Sequence, residues 1–301
     1  MNESQTRCGF VAILGAPNVG KSTLLNRIVG TKVSIVSPKV QTTRTRVLGI
    51  ALEGDTQLIF IDTPGIFQPK RRLDRAMVAA AWGGAGDADH VILLVDAQRG
   101  LNPDTQAIID RLKEQEGRKV DLVINKIDLI DKQKLLALTQ KLSEQGVFDE
   151  TFMVSATQGD GVKDLVAYLT AKMPAGPWLF PEDQISDMPM RLLAAEITRE
   201  KLYLKLHQEL PYATTVETET WEEKDDGSVR IEQTIYVERE SQRSIVLGKG
   251  GKMIKSIGAE SRHDLGDMLD TKVHLFLFVK VREKWGDDPG RYNAWGLDFN
   301  A

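Results

Sequence analysis

The sequence lacks the features of a secreted, membrane-spanning or disulfide-bonded protein. Its one cysteine, Cys8, cannot form an internal disulfide or supply a multi-cysteine zinc site. No apolar run approaches the roughly 18 residues that a membrane span requires, and the longest covers only residues 91–95. Residues 1–7 are polar and lack the basic-then-apolar pattern of a secretory signal. We therefore expect a cytoplasmic protein.

The sequence also lacks an excess of positive charge. Lysine and arginine number 39 against 43 acidic residues, a net charge of −4. This balance excludes a uniformly basic nucleic-acid binder but permits a local basic face. Histidine is scarce, and the four histidines have no metal-ligand spacing, so we expect each to be a surface or packing residue: His90, His207, His263 and His274.

What the first half does contain is an alternation of short apolar runs with amphipathic stretches, which is typical of an α/β fold with a mostly parallel sheet. Candidate strands cover residues 9–14, 46–52, 57–61, 90–95, 119–124 and 150–154. Only residues 53–56 separate the second strand from the third, too few for a crossover, so this pair should form an antiparallel hairpin. We predict six strands, one of them antiparallel.

Five prolines and glycines then crowd residues 174–189, where a continuous helix cannot form. We place a linker at residues 174–190, between a first domain at 1–173 and a second at 191–285, with a tail at 286–301. The second domain reads as α+β, and its predicted elements are a helix at 190–210, strands at 214–221 and 229–238, a helical region at 241–269 and a strand at 272–281.

A phosphate-loop motif, GAPNVGKS, directly follows the first strand and precedes a helical stretch. Its glycines let backbone N–H groups surround a phosphate at a helix N-terminus. Lys21 should reach the β- and γ-phosphates, and the Ser22 hydroxyl should bind Mg²⁺. An empty glycine-rich turn is the alternative, which the flanking elements disfavour. The predicted nucleotide-binding residues here are Gly15, Ala16, Pro17, Asn18, Val19, Gly20, Lys21, Ser22 and Thr23.

Two further segments should complete the phosphate and magnesium site. Asp62, Thr63, Pro64 and Gly65 end the third strand, so the Asp62 carboxylate can hold a water on Mg²⁺ while the Gly65 N–H meets the γ-phosphate. Alone, this tetrapeptide could be an ordinary turn.

A threonine that binds Mg²⁺ in the GTP state should lie between the first helix and the second strand. Thr42 and Thr43 both qualify, and we prefer Thr43. The alternative for this segment is a mobile polar loop.

The sequence NKID after the fifth strand predicts the base. Asp128 can accept hydrogen bonds from the ring N–H and the exocyclic amine of guanine, whereas adenine presents the opposite edge. Asn125 should tether neighbouring loops, and the stem of Lys126 should cover the base. Ser155 and Ala156, after the sixth strand, could offer a backbone N–H to the guanine oxygen. The predicted ligand is therefore GTP or GDP with Mg²⁺.

A local basic face lies in the second domain around a GxxG sequence. Residues 241–259 contain four basic and no acidic side chains. Small residues between two helices allow close approach of a sugar-phosphate backbone, as in KH domains that bind single-stranded RNA. A plain glycine-rich connector is the alternative. The predicted RNA-binding residues are Arg243, Gly248, Lys249, Gly250, Gly251, Lys252 and Lys255.

The ordered motifs GAPNVGKS, QTTR, DTPG, NKID and SAT resemble those of the translation-factor-related GTPases. With the GxxG tail, which is similar to a type II KH domain, nearly the whole chain resembles the Era family. That resemblance implies GTP hydrolysis, with Lys21, Thr43 and Gly65 as the catalytic residues. It also implies a partner, the 3′ end of 16S ribosomal RNA in the small (30S) subunit, whose maturation the protein would serve.

The resemblance also carries finer expectations. Ile66 stands where Ras-type enzymes place a water-orienting glutamine, so intrinsic hydrolysis should be slow. Asn18 could help to hold K⁺ against the phosphates. We expect a monomer, with peripheral association with the inner membrane as an open possibility. The basic cluster at residues 70–72 with Arg75 could contact RNA or membrane, although charge runs usually face water.

Two other functions stay open. The protein could be an RNA chaperone with a structural nucleotide and negligible hydrolysis. Ile66 is compatible with this alternative, because it replaces the water-orienting glutamine of Ras-type enzymes. It could also be a GTPase acting on another macromolecule, which the GxxG sequence disfavours.

Overall fold

Six strands form the first sheet of the computed structural model, which describes residues 6–39, 42–115, 120–207 and 209–301. The strands are β1 (Arg7–Leu14), β2 (Val47–Glu53), β3 (Thr56–Asp62), β4 (His90–Asp96), β5 (Val120–Asn125) and β6 (Phe148–Val154). Their order is β2-β3-β1-β4-β5-β6. Only β2 is antiparallel to its neighbour. The predicted mostly parallel sheet with one antiparallel strand is confirmed, although residue 119 of the predicted fifth strand lies outside the described residues.

Helices connect these strands, as the amphipathic stretches predict. They are α1 (Lys21–Val29), α2 (Arg72–Gly86), α3 (Pro103–Lys113), α4 (Lys132–Ser143) and α5 (Val162–Lys172). The start of α3 shows how local chemistry sets a boundary, because Asn102 Oδ1 accepts from Thr105 N at 3.1 Å and Pro103 occupies the first helical position. Residues 91–96 of β4 are buried throughout, as expected for a parallel strand covered on both faces.

The outer edge of β2 is covered by the proline-rich segment that the sequence predicts as a linker. Ile50 N donates to the Ile185 carbonyl at 2.9 Å, and Leu48 N donates to Asp187 Oδ1 at 3.0 Å. Gln57, fully buried on β3, accepts from Leu179 N at 2.9 Å. Because an unpaired edge strand invites association with other chains, this cover protects the sheet.

The second sheet contains three strands, β7 (Thr214–Glu223), β8 (Val229–Val237) and β9 (Val273–Val281), in the order β7-β8-β9. The pair β7 and β8 is antiparallel, whereas β8 and β9 are parallel. Its helices are α6 (Met190–Lys205), α7 (Glu240–Leu247) and α8 (Lys252–Leu269), followed by a short helix, α9 (Pro289–Ala294). The order of helix, two strands, two helices and strand confirms the predicted α+β architecture.

One sequence prediction differs from this second fold in detail. The first helix ends at Lys205, before the predicted residue 210, because Leu206 takes an extended backbone and its side chain is buried in the core. On β9, alternate residues from Val273 to Val279 pack into the apolar core. Val281, at the end of the strand, is 38% exposed and is not part of that core.

The chain divides into two compact units whose limits are not contiguous in sequence. The first unit comprises Met1–Ser34, Thr43–Asp187 and Tyr292–Ala301, and the second comprises Ile35–Thr42 and Met188–Arg291. The sequence-based limits at residues 173, 190 and 285 stay predictions of domain organisation. Within the described residues, no helix combines the length and apolar character needed to cross a membrane.

Candidate nucleotide and RNA sites

The phosphate loop lies between β1 and α1, and its backbone requires glycine at both ends. Gly15 has a φ of 152°, and a Cβ atom there would approach the Leu94 carbonyl oxygen to 2.6 Å. Gly20, at the start of α1, has a φ of 102°. Asn18 adopts a left-handed backbone with a φ of 64°, a conformation that asparagine tolerates better than most residues. These dihedrals shape the loop into the cradle that the motif predicts.

Lys21 is the buried cation of this loop, with 6% of its surface exposed. Its ammonium donates to the carbonyl oxygens of Gly15 and Ala16, each at 3.0 Å. Burial lowers the pKa of Lys21 to about 8, and nearby Asp62 opposes that shift. Such a desolvated ammonium, held against the loop by two carbonyls, would gain strong electrostatic partners from phosphate oxygens.

Three hydroxyl groups converge on the fully buried carboxylate of Asp62. Its Oδ2 accepts from Ser22 Oγ at 2.7 Å, Ser34 Oγ at 2.8 Å and Thr43 Oγ1 at 3.4 Å. The hydroxyls of Ser22 and Thr43 are themselves 3.0 Å apart. Burial raises the pKa of Asp62, while these hydrogen bonds and Lys21 act in the opposite direction. The structure thus brings together the three residues predicted to bind Mg²⁺, and adds Ser34.

The two threonine candidates have different surroundings. Thr43 is the one beside Ser22 and Asp62, whereas Thr42 Oγ1 contacts Ser37 Oγ at 2.8 Å and donates to the Lys39 carbonyl at 2.7 Å. This geometry favours Thr43 over Thr42, which agrees with our preference from the sequence.

After β3, the chain returns to the phosphate loop. Ile66 N donates to the Gly15 carbonyl at 3.1 Å, and the Ile66 side chain is buried in the apolar core. A Cβ atom on Gly65 would lie 2.9 Å from Pro17 Cα, so only glycine fits this approach. Thr63 Oγ1 donates to the Ile13 carbonyl at 2.7 Å. The side chain of Ile66 therefore points into the protein and offers no polar group to a water molecule.

Asn125 ties together the loops that should bind the base. Its Nδ2 donates to the Val19 carbonyl at 2.8 Å, and its Oδ1 accepts from Ala156 N at 3.0 Å. The N–H of Ala156, in the segment predicted to offer a backbone N–H to the guanine oxygen, is therefore bonded to Asn125 here. Ser155 is buried, and its Oγ accepts from Gln158 N at 3.1 Å.

Lys126 and Asp128 flank this tether in different ways. Lys126 Nζ donates to the Asn18 carbonyl at 2.7 Å and to Asp96 Oδ2 at 2.6 Å. Asp128 is exposed, so its carboxylate is accessible to a base.

Sequence reasoning missed two polar groups at this site, Ser34 and Asp96. Asp96 ends β4 directly opposite Asn125 of β5 in the sheet register. A polar residue at the carboxyl end of a parallel strand beside a known motif is a signal that could have identified Asp96. Ser34 lies in an irregular segment whose sequence offers no comparable signal.

The predicted RNA-binding loop connects α7 and α8 within the second unit. Gly248, Gly250 and Gly251 have φ values of 70°, 61° and 74°. A Cβ atom on Gly248 would lie 2.9 Å from Met253 N, whereas Gly250 faces open space. Three lysines of this region are exposed: Lys249, Lys252 and Lys255. Backbone of this shape, with unscreened ammonium groups around it, suits a sugar-phosphate chain.

Arg243 differs from these lysines because its guanidinium already has partners. Its Nε donates to the Val279 carbonyl at 3.3 Å, and its Nη1 pairs with Glu240 Oε1 at 2.7 Å. Ile245, on the same helix, exposes 56% of its surface. The helix therefore presents an apolar side chain beside the lysines.

The four histidines form no metal site with acidic or cysteine neighbours in the part of the chain that the structure describes.

Comparisons with known proteins cover both units. Residues 10–126 match the family described as "50S ribosome-binding GTPase", and residues 209–286 match the KH domain family. GTPase Era of Brucella suis is 62% identical over 98% of this chain and 95% of its own length. GTPase Era of Afipia carboxidovorans is 63% identical, with 98% and 95% covered.

Solved structures agree with these sequence matches. An Era crystal structure with MgGDPNP and nucleotides 1506–1542 of 16S ribosomal RNA superposes with a TM-score of 0.91 at 39% identity, covering 97% of this chain and 99% of that one. Aquifex aeolicus Era bound to GDP and aluminium fluoride gives a TM-score of 0.91 at 38% identity, with coverages of 97% and 99%. On the identity and coverage of these relatives, the chain belongs to the Era family of GTPases.

Proposed function

We propose that this GTPase is a magnesium-dependent switch that binds the single-stranded 3′ end of 16S ribosomal RNA and acts in maturation of the small ribosomal subunit. The observation that carries the proposal is the convergence of Ser22 and Thr43 on buried Asp62, in a chain that also contains an exposed, lysine-flanked GxxG loop. The relative solved with both MgGDPNP and 16S ribosomal RNA supports the pairing of these two ligands.

The donor set at Asp62 fits Mg²⁺. A carboxylate and two hydroxyls are hard oxygen ligands, which Mg²⁺ prefers together with water and phosphate oxygens. Asp62 Oδ1 is buried and has no hydrogen-bond partner among the described residues, and a buried polar atom of this kind calls for a ligand, ion or water. We assign Ser22 and Thr43 as direct ligands and Asp62 as a ligand through water. When bound, the metal would neutralise phosphate charge.

The other residues supply binding and orientation. Lys21 and the loop amides hold the phosphates, and the Gly65 N–H meets the γ-phosphate while its missing side chain lets the backbone approach Pro17. Asp128 recognises the guanine edge, with Lys126 covering the ring. Because Ile66 is buried in the core, no side chain at that position orients the attacking water, so intrinsic hydrolysis should be slow.

A monovalent cation would offset part of that deficit. We propose that Asn18 helps to hold K⁺ beside the phosphates, where the cation stabilises developing negative charge. Its left-handed backbone places it within the cradle, and its carbonyl is bonded by Lys126.

Replacing K⁺ by Na⁺ at equal ionic strength is expected to slow single-turnover GTP hydrolysis by about tenfold, because Na⁺ is smaller than K⁺. A tenfold change in rate corresponds to a change of about 1.4 kcal/mol in the activation barrier. GDP affinity should change little. Equal hydrolysis rates in the two salts would contradict the K⁺ proposal without affecting the other assignments at the nucleotide site.

For the RNA site, the double variant Lys249→Asp with Gly250→Asp is expected to lose at least about 100-fold in affinity for a 16S 3′-end oligonucleotide, because it replaces one cation and adds two anions where phosphates pass. Gly250 faces open space, and aspartate tolerates its left-handed backbone at modest cost. Fluorescence anisotropy with labelled RNA measures the loss.

Lys224→Asp is the matched control for this variant, since Lys224 is exposed in the turn between β7 and β8. It should bind RNA within about threefold of the parent. GDP affinity should be unchanged in both variants. If the double variant loses RNA and nucleotide together, the RNA site is misassigned or the domain limits at 173 and 191 are wrong.

The choice of ribosomal subunit is open to a direct test. The family description names the 50S subunit, whereas the 16S RNA in the related crystal structure belongs to the small subunit. Co-sedimentation of the GTP-bound protein with purified 30S and 50S subunits should recover it with 30S. The alternative, an RNA chaperone with a structural nucleotide, predicts 30S binding without any stimulation of GTP hydrolysis.

We further propose that the protein is monomeric and that any membrane association is peripheral. The cluster Lys70, Arg71 and Arg72 is exposed, as either RNA or an anionic surface would need. Arg72 already stacks over the Phe299 ring at 4.3 Å, and both backbone N–H groups of Lys70 and Arg71 donate to Asp74. These contacts are also those expected of a helix N-terminus that faces solvent.

A further inference from the structure

Strand β9 carries two exposed aromatic rings on the face that points away from the helices of the second unit. Its odd-numbered residues from Val273 to Val279 pack into the apolar core with those helices. Since side chains alternate across a strand, the even-numbered residues lie on the opposite, outer face. A sheet face that meets water usually carries polar residues. Here two of these residues are phenylalanines, Phe276 and Phe278, which expose 45% and 49% of their surfaces.

Basic side chains flank the two rings in the same alternation. Residues 272–284 contain four lysine or arginine side chains against one acidic residue. Lys272 precedes the rings and Lys280 follows them, and both are exposed. Arg282 comes directly after the strand and pairs with Asp288 at 2.8 Å, so its charge is partly compensated. The outer face of β9 therefore combines apolar rings with the unpaired charge of two lysines.

The neighbouring strand, β8, adds an arginine–glutamate pair beside the rings. The guanidinium of Arg230 lies over the Phe276 ring, 5.0 Å from its centre. Glu232, which is next to Phe276 in the sheet register, accepts from Arg230 Nε at 3.2 Å. Because this carboxylate is already bonded to a guanidinium, it repels an incoming anion less than an unpaired carboxylate would. The pair leaves nearly half of the Phe276 side chain open to a ligand.

Strand β9 also lies next to the proposed RNA-binding loop. It is the last strand in the order β7-β8-β9, and α7, which leads into the GxxG loop, packs against it. Arg243 Nε on α7 donates to the Val279 carbonyl at 3.3 Å. One edge strand thus separates the loop side of the domain from the face that carries Phe276 and Phe278. An extended chain that leaves the loop beside α7 can reach both rings by crossing that strand.

Single-stranded nucleic acid is the ligand whose chemistry fits this face. Unstacked bases lie flat on aromatic side chains, and the phosphates between them pair with lysine and arginine. Side chains two positions apart on a strand are about 6.6 Å apart, so the two rings offer separate stacking surfaces. A purely apolar partner would not need the lysines, and a simple anion would not need the rings.

We propose that the outer face of β9 is a second contact for single-stranded RNA, in addition to the GxxG loop. Two unstacked bases lie on Phe276 and Phe278, and the adjoining phosphates pair with Lys272 and Lys280. One RNA chain is held at the loop and then on this face, so the domain binds more than the roughly four nucleotides that a GxxG loop clamps. This inference rests on the proposed RNA-binding function of the loop.

The test uses the full chain and two labelled RNAs from the 16S 3′ end, one of about four nucleotides and one of about ten. The double variant Phe276→Thr with Phe278→Thr removes both rings and keeps residues that favour strands. It is expected to lose at least about 30-fold in affinity for the longer RNA, because base–aromatic stacking is lost at two positions. Its affinity for the shorter RNA should stay within about twofold of the parent, since the loop is unchanged.

Three comparison variants sharpen the measurement. Phe276→Tyr with Phe278→Tyr keeps both rings and should bind the longer RNA like the parent. Leu204→Ala is the matched control, since it removes an apolar side chain of similar exposure, 47%, from α6 of the same unit. It should bind both RNAs like the parent. Lys280→Gln should reduce the slope of log affinity against log salt concentration by about 0.7, as expected for one phosphate contact on a single strand.

Three results would overturn the inference. Parent-like affinity of the threonine double variant for the longer RNA would show that the rings do not contact RNA. An equal loss for both RNAs, together with a lower melting temperature, would show that the rings only support the fold of the domain. A parent protein that binds the two RNAs equally well would exclude a second RNA contact and leave an acidic protein segment as the ligand of this face.

Failure of the proposed function itself would give a different pattern. If Lys249→Asp with Gly250→Asp binds the longer RNA normally, the assignment of the loop fails first. If that variant loses the longer RNA while the threonine double variant keeps it, the second contact alone is refuted.

Discussion

The Asp128→Asn variant is expected to bind xanthine nucleotides in preference to guanine nucleotides. The carboxylate accepts from two guanine donors, whereas an amide can donate to the additional carbonyl of xanthine and still accept from its ring N–H. Sites built around such polar partners discriminate strongly, because a mismatch leaves buried groups unpaired. We expect the ratio of XDP to GDP affinity to rise by at least about 100-fold.

Competition against a fluorescent GDP analogue measures this ratio. Asp131→Asn is the matched control, because Asp131 is also exposed, lies three positions further on and pairs only loosely with Lys134 at 3.5 Å. That control should keep the parent preference. A variant at Asp128 that still prefers guanine would show that the base is recognised elsewhere.

The Lys21→Ala variant is expected to lose at least about 100-fold in affinity for GTP. Removing one partner of a buried, hydrogen-bonded charge pair costs about 2–5 kcal/mol, and each 1.4 kcal/mol is tenfold in affinity. In the structure, the ammonium is already buried and bonded to the Gly15 and Ala16 carbonyls. Titration calorimetry with nucleotide-free protein measures the loss, and Lys141→Ala, at an exposed position of α4, is the control.

The lowered pKa of Lys21, about 8, gives this prediction a pH signature. The phosphates bind the charged ammonium, so the affinity of the parent should fall as the pH rises through that value. Lys21→Ala has no such group and should lack this decline. An identical pH profile in the two proteins would mean that Lys21 does not contact the phosphates.

The sequence predicted the nucleotide site because its chemistry is local. A phosphate loop consists of consecutive residues between a strand and a helix, so Gly15, Lys21 and Ser22 can be recognised without a structure. The ends of parallel strands meet at one sheet edge, which placed Asp62 and Asn125 near that loop. The same reasoning gave the antiparallel hairpin of β2 and β3 from the short connection between them.

Other features depend on contacts between residues far apart in sequence. No periodic pattern in the sequence indicates the bond from Ile50 N to the Ile185 carbonyl or the bond from Arg199 Nη2 to the Thr42 carbonyl. From the sequence alone, a buried charge such as Arg199 cannot be distinguished from an ordinary helix residue, because its partners are unknown. For this reason the proline-rich segment appeared to be only a linker.

The central claim is that the loop amides, Lys21 and the Ser22–Asp62 pair capture a magnesium-bound guanine nucleotide. The parent arm of the calorimetric titration tests it most directly, with GDP, GTP and ATP added in turn to nucleotide-free protein in magnesium buffer. We predict heat of binding with one nucleotide per chain for GDP and GTP, and none for ATP. Equal binding of ATP, or no heat with either guanine nucleotide, would contradict the account.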